Sequence, residues 1–207
     1  MALRLLEVVR DQDLPGEILQ DEDPTVTMPR RLGLSDVVER QIRAYRTDVR
    51  RRTRLTDDEV RDLFRLVIRR PDAEEIFYRV GKLLAGREAS AGWTRATPRR
   101  LAVAVARSRV RRRLKALFGR RMGGFVRGRF AVEGRSLLFI EADPGGDACF
   151  FLSGLCEAIL EGTTGRAAKV SHTLCQSRGD ALCRWEGSLV DVPGAAPHEG
   201  AVEEGVP

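Results

Sequence analysis

The sequence predicts an α+β fold: an antiparallel sheet of about four strands, arranged as two hairpins and packed against helices, with the N-terminal helices preceding the sheet. Three observations carry this. Apolar residues from Val37 to Leu117 recur at the three- and four-residue stagger of amphipathic helices. Between Phe125 and Val190 short β-type runs interrupt that stagger. Turn signals punctuate those runs at Glu133-Gly134-Arg135 and at Arg178-Gly179-Asp180.

The elements follow in order. Pro15, Gly16, Pro24 and Pro29 break any long helix, so 1–34 is expected to be an irregular N-terminal arm. A first helix over 35–50 starts at Ser35 and shows Val38, Ile42, Tyr45 and Val49 on one stripe. Thr56 and Glu59 form a capping-box signature for a second helix through Leu63, Phe64 and Val67 to about Arg70. Pro71 and Asp72 restart the chain into a third helix, Ile76 to Leu84, which Gly86 stops. Gly81 and Ala85, one turn apart on it, would admit a close helix neighbour. Thr97 and Pro98 open a fourth helix that runs to the Gly119 region. Strands are then expected at 125–132 and 136–141, a fifth helix from Asp147 to Gly162, and strands at 168–174 and 182–190. Residues 35–190 read as one domain, and 191–207, rich in Gly, Pro, Ala and Glu, as a disordered acidic tail.

Length and composition set the class. The chain has 207 residues, 43% hydrophobic and 32% charged, with no apolar run of the roughly 20 residues a membrane span needs. No secretory signal is recognisable at the N-terminus, and a cytoplasmic location is expected. The net charge of +6 is unevenly spread: 1–24 carries seven acids, whereas 98–121 carries ten Lys or Arg and no acid. That basic helix, with Arg107, Arg109, Arg111, Arg112, Arg113 and Lys115, suits a protein partner or the acidic arm better than nucleic acid. No nucleophile with its base, carboxylate pair or phosphate loop stands in supporting context, so the sequence points away from an enzyme. The two histidines are His172 and His198, the latter in the tail.

All four cysteines, Cys149, Cys156, Cys175 and Cys183, fall in the last third. A hairpin turning at Gly179 sets Cys175 opposite Cys183, close enough for two thiolates to share an ion. Cys149, at a helix start, has unpaired N–H groups beside it that favour a thiolate and a third ligand. His172 would complete a Cys₃His zinc set, provided that a bulge or strand end turns it to the side of Cys175, because an odd separation on a regular strand points them apart. The same residues suit buried core thiols or a redox pair, and core packing is the reading for Cys156.

The segments Cys149-Phe-Phe-Leu-Ser-Gly154-Leu-Cys-Glu-Ala and Val170-Ser-His-Thr-Leu-Cys175-Gln-Ser-Arg-Gly179-Asp180-Ala-Leu-Cys183-Arg-Trp185 resemble the end of the 4-vinyl reductase domain, a hydrocarbon-binding module. The resemblance spans about 60–190 and is clearest over 125–187. It implies the ligand-binding fold of NO-signalling and Golgi-transport proteins, often a homodimer, and zinc held by Cys149, Cys175 and Cys183. Where the family commonly places a glutamate as fourth ligand, this chain has His172. The function so implied is a small hydrophobic or aromatic ligand-binding module with a structural zinc site, acting as sensor or accessory protein. The alternatives are an accessory or catalytic factor in tetrapyrrole or bacteriochlorophyll metabolism, and a ligand-free scaffold. Candidates to line the pocket are Trp93, Phe125, Phe130, Phe139, Phe150 and Phe151.

Overall fold

The computed structural model describes residues 1–13, 37–90, 98–118, 123–135 and 138–190, without the side chains of 138 and 139. The rest of the expected arm, Trp93, His198 and the 191–207 tail lie outside the described residues. The chain runs α1 (Ala2–Asp13), α2 (Val37–Arg51), α3 (Asp57–Ile68), α4 (Ala73–Ala85), a 3₁₀ turn (Gly86–Ala89), α5 (Arg99–Phe118), β1 (Gly124–Phe125) and β2 (Ala131–Gly134). It continues with α6 (Leu138–Ala142), a 3₁₀ turn (Asp147–Cys149), α7 (Phe150–Thr164), β3 (Ala168–Leu174), a 3₁₀ turn (Gln176–Arg178) and β4 (Cys183–Leu189). The four strands form one antiparallel sheet in the order β1-β2-β4-β3.

The expected α+β class is therefore present, with helices preceding the sheet. Thr56 caps α3 as predicted: its Oγ1 accepts from the Glu59 amide at 3.3 Å, and Glu59 accepts from the Thr56 amide at 2.8 Å. Helix α7 is buried on nearly every side, the signature of a central helix. It lies between β3 and β4 on one side and α4 and α5 on the other.

Small residues set how closely α4 and α7 approach. A Cβ on Gly81 would fall on the Phe151 carbonyl oxygen, and one on Gly154 would fall on the Tyr78 carbonyl oxygen. The one buried acid at this interface, Glu157, is satisfied from three directions: the Tyr78 hydroxyl donates to it, Lys82 Nζ lies 3.0 Å away, and the Val170 amide donates at 3.0 Å. Burial without such partners would cost several kcal/mol.

Four sequence expectations need correction. The first part of the 1–34 arm is a helix, because Leu5, Leu6, Val8 and Val9 make an apolar stripe that enters the common core before Pro15 is reached. The first hairpin turns within 126–130, at positive-φ Gly128, not at 133–135; the expected turn residue Gly134 instead ends β2 and pairs with Cys183, the first residue of β4. The second strand expected there, 136–141, overlaps the short helix α6, which packs on α3 and cannot also pair with β2. Finally α7 passes Gly162, which rests against the Ala89 backbone, and ends at Gly165 in the left-handed conformation with its N–H on the Glu161 carbonyl.

Candidate metal centre

Cys149, His172, Cys175 and Cys183 converge from three parts of the chain, and one ligand atom from each lies within 4.8 Å of all the others. The three cysteines are buried and unpaired by disulfides. Four-coordinate binding at about 2.3 Å per sulfur sets neighbouring sulfurs roughly 3.8 Å apart, so a contraction of about 1 Å suffices to close a shell around one ion.

The strands supply three of the four through an irregularity. From Ala168 to His172, β3 is one residue out of the expected register, and His172 faces Trp185. A bulge between His172 and Leu174 restores it, so that Leu174 faces Arg184 and the chain enters the turn with Cys175 beside Cys183. The extra residue brings His172 and Cys175 into one cluster, the condition the sequence imposed. The imidazole stacks on the Trp185 ring at 4.9 Å between centroids, and its Nε2 is buried with no hydrogen-bond partner among the described residues. A buried ring nitrogen left open beside three sulfurs fits a metal ligand.

Loop chemistry holds the fourth group. Asp143 accepts three amides, Gly145 at 2.9 Å, Gly146 at 3.0 Å and Ala148 at 2.6 Å, and so folds the approach to Cys149. Asp147, where the fifth helix is expected to begin, does not stand at its N-cap, which is Cys149; the Asp-Pro-Gly-Gly run at 143–146 is the turn signal that points to Asp143. Gly146, at φ 91°, sits so near Cys175 that a Cβ would stand 2.8 Å from its Sγ. Arg178 donates to the Gly145 carbonyl at 3.0 Å, Asp180 accepts the Cys175 amide at 2.7 Å, and Trp185 Nε1 donates to the Cys149 carbonyl at 3.0 Å. The hairpin turn is thereby tied to the start of α7.

The sulfurs also interact with one another. The Cys149 thiol, donating toward Cys183, is pushed far above an ordinary thiol by that hydrogen bond, by burial and by the neighbouring sulfurs. Cys183 is held down to about 4 by the same hydrogen bond, against the cost of burial, with help from His172 and the Gln176 amide, which donates to Sγ at 3.2 Å. Cys156 stands apart, fully buried, with burial pushing its thiol up to about 12.

The aromatic candidates do not share one cavity. Phe130 packs edge-on against Phe125 and lines a cleft beside α5; Phe151 packs on Phe118 in the core; Phe150 lines a different, shallow depression beside Tyr78. The side chain of Phe139 and all of Trp93 lie outside the described residues.

Three arginines of α5 are occupied. Arg109 donates to the Glu88 and Ser90 carbonyls and to Thr163, Arg112 grips the Glu88 carboxylate at 2.5 and 2.8 Å, and Arg113 donates to the Leu84 carbonyl. The expected pairing with the acidic arm is not seen among the described residues: Glu7 meets Arg4 and Arg46, and Asp13 meets Arg70. No described helix is long and apolar enough to cross a membrane. Neither a family model nor a curated protein matches the chain.

Proposed function

We propose that this chain is a small-molecule-binding module of the 4-vinyl reductase type, whose closing hairpin is tied to the central helix by structural zinc. The observation that carries this reading is the buried set of three sulfurs and one imidazole gathered within 4.8 Å. Thiolate and imidazole donors in a tetrahedral set are the preference of Zn²⁺, and four protein ligands leave no position for water or substrate. The ion's chemistry is therefore to hold structure, and no ligand is bound through it. What the chain's own residues do is position: Asp143 shapes the loop before Cys149, the bulge turns His172, and Asp180 fixes Cys175. Binding of a ligand then falls to a cleft elsewhere on the molecule.

Elemental analysis of the purified protein tests the zinc. One equivalent per chain is expected, and Cys183→Ser should lose most of it and melt at least several degrees lower, since removing a ligand opens the shell. Unchanged metal content and melting temperature in that variant would remove the assignment. Native mass spectrometry of protein from its own host tests the binding reading, through a retained hydrophobic compound; retained porphyrin would instead favour a tetrapyrrole factor.

A further inference from the structure

A cleft of about 580 Å³ opens between α5, the β1–β2 turn, β4 and α7. Its apolar lining comes from Val103, Phe130, Leu160 and Leu189. Gly187 shapes this wall: a Cβ there would stand 2.6 Å from the Phe130 ring and 3.0 Å from Leu160, so only glycine lets the strand, the ring and α7 close up. Around the cleft stand four arginines, Arg99, Arg100 and Arg107 from α5 and Arg129 from the turn. Unlike Arg109, Arg112 and Arg113, the first three hold no carboxylate or carbonyl among the described residues; Arg107 lies 5.2 Å from the face of Phe125. Arg129 has Glu186 at 3.7 Å, an acid it shares with Arg184.

We propose that this cleft binds amphipathic acids, molecules with one hydrocarbon or aromatic body and one carboxylate. The proposal rests on the binding-module reading and gives it a site and a ligand class. The body lies on Val103, Phe130, Leu160 and Leu189, and the carboxylate meets the guanidinium groups of Arg99, Arg100 and Arg107. The volume falls within the range of small-molecule sites, about 300–1,000 Å³, and such sites combine an apolar lining with a few polar groups that fix orientation. Guanidinium forks match carboxylate geometry, and cations without a protein counter-charge beside apolar surface favour an anionic guest. Single-stranded nucleic acid fits less well, because it needs exposed aromatic faces for stacking. Phe130 is 4% exposed, and the Phe125 ring is already faced by Arg107 and Arg111.

The test uses the purified full chain with anilinonaphthalene sulfonate as a fluorescent probe, displaced by dodecanoate or by dodecanol. Dodecanoate is expected to displace the probe at least tenfold more effectively than the alcohol, and the preference should shrink at high salt. The double variant Arg99→Gln, Arg100→Gln and the single variant Ala104→Glu change exposed positions on the cleft side of α5, so their melting temperatures should stay at the wild-type value. Both should lose the acid preference and keep dodecanol binding. Equal displacement by acid and alcohol, or an acid preference intact in both variants, overturns the ligand class while leaving the binding module standing. Displacement by a single-stranded oligonucleotide at lower concentration than dodecanoate overturns it in favour of nucleic acid. No displacement by any compound removes the binding reading as well, and zinc content is unaffected by all of these outcomes.

Discussion

His172 and Cys175 stand three residues apart, a separation that a regular strand turns to opposite faces, and the bulge after His172 cancels that parity. Around them each contact is set by one atom or its absence. Gly146 shows this most directly, combining φ 91° with a missing Cβ that would otherwise stand 2.8 Å from Cys175 Sγ. Gly146→Ala is expected to destabilise the fold by about 1–3 kcal/mol from backbone strain alone. It should also weaken metal retention, because the methyl displaces a ligand. Urea denaturation and competition with a chelating dye check the two effects separately, and a variant with wild-type stability would refute the close approach.

Between elements, the controlling contacts are a glycine-mediated helix pair and an arginine clamp. Gly154→Ala puts a methyl on the Tyr78 carbonyl oxygen, which must separate α4 from α7 and uncover the bond from Tyr78 to Glu157. A loss of roughly 2–4 kcal/mol is expected in chemical denaturation, the scale of overpacking a tight interface and disturbing its buried polar group. The clamp of α5 on the 3₁₀ turn makes a pH prediction. Hydrogen bonds from Arg112 hold the Glu88 carboxyl below its ordinary value of 4.5, with Arg109 and Arg113 adding charge, against a smaller opposing effect of burial. A lowered folded-state pKa adds stability that is fully present above the unfolded value and is lost as pH falls through the folded one. Glu88→Gln should therefore lower the melting temperature slightly at pH 7, and the gap to wild type should narrow by pH 3. The effect stays small because Arg112 is largely exposed.

At the scale of the whole molecule, α1 and the metal centre belong to one body. Leu5, Ile42, Phe64, Phe77 and Phe151 join a single buried cluster that also contains Cys149, Cys175, Cys183 and Trp185. Leu5, fully buried, is 144 positions before Cys149 in a chain of 207. Leu5→Ala is expected to cost about 2–5 kcal/mol, as a cavity in a shared core does, in one cooperative transition. Thermal unfolding followed by far-ultraviolet circular dichroism and, in a Trp93→Phe background, by Trp185 fluorescence should shift together. A change confined to the helical signal would show α1 to be an independent attachment.

Much of this was legible because it is written in local spacing. The capping box at Thr56, the apolar stripe of α3 and the facing of Cys175 and Cys183 follow from distances along the chain that helices and strands convert into shared faces, whereas Val49, Leu83 and Leu101, expected on the stripes of α2, α4 and α5, are exposed, and His172 joins the cysteines only through the bulge. The first hairpin turns earlier than Glu133-Gly134-Arg135 because Glu133 and Gly134 pair with Arg184 and Cys183 as the last two residues of β2, and the chain leaves the sheet only after them. The run 138–142 carries strand-forming residues yet folds as a helix, since packing on α3 outweighs propensity. By itself, then, the sequence determined which residue types meet and at what spacing. Tertiary structure alone decided the register of β3, the gathering of arginines at the cleft and the place of α1, because each depends on which of several locally allowed arrangements buries the most apolar surface without stranding a polar group.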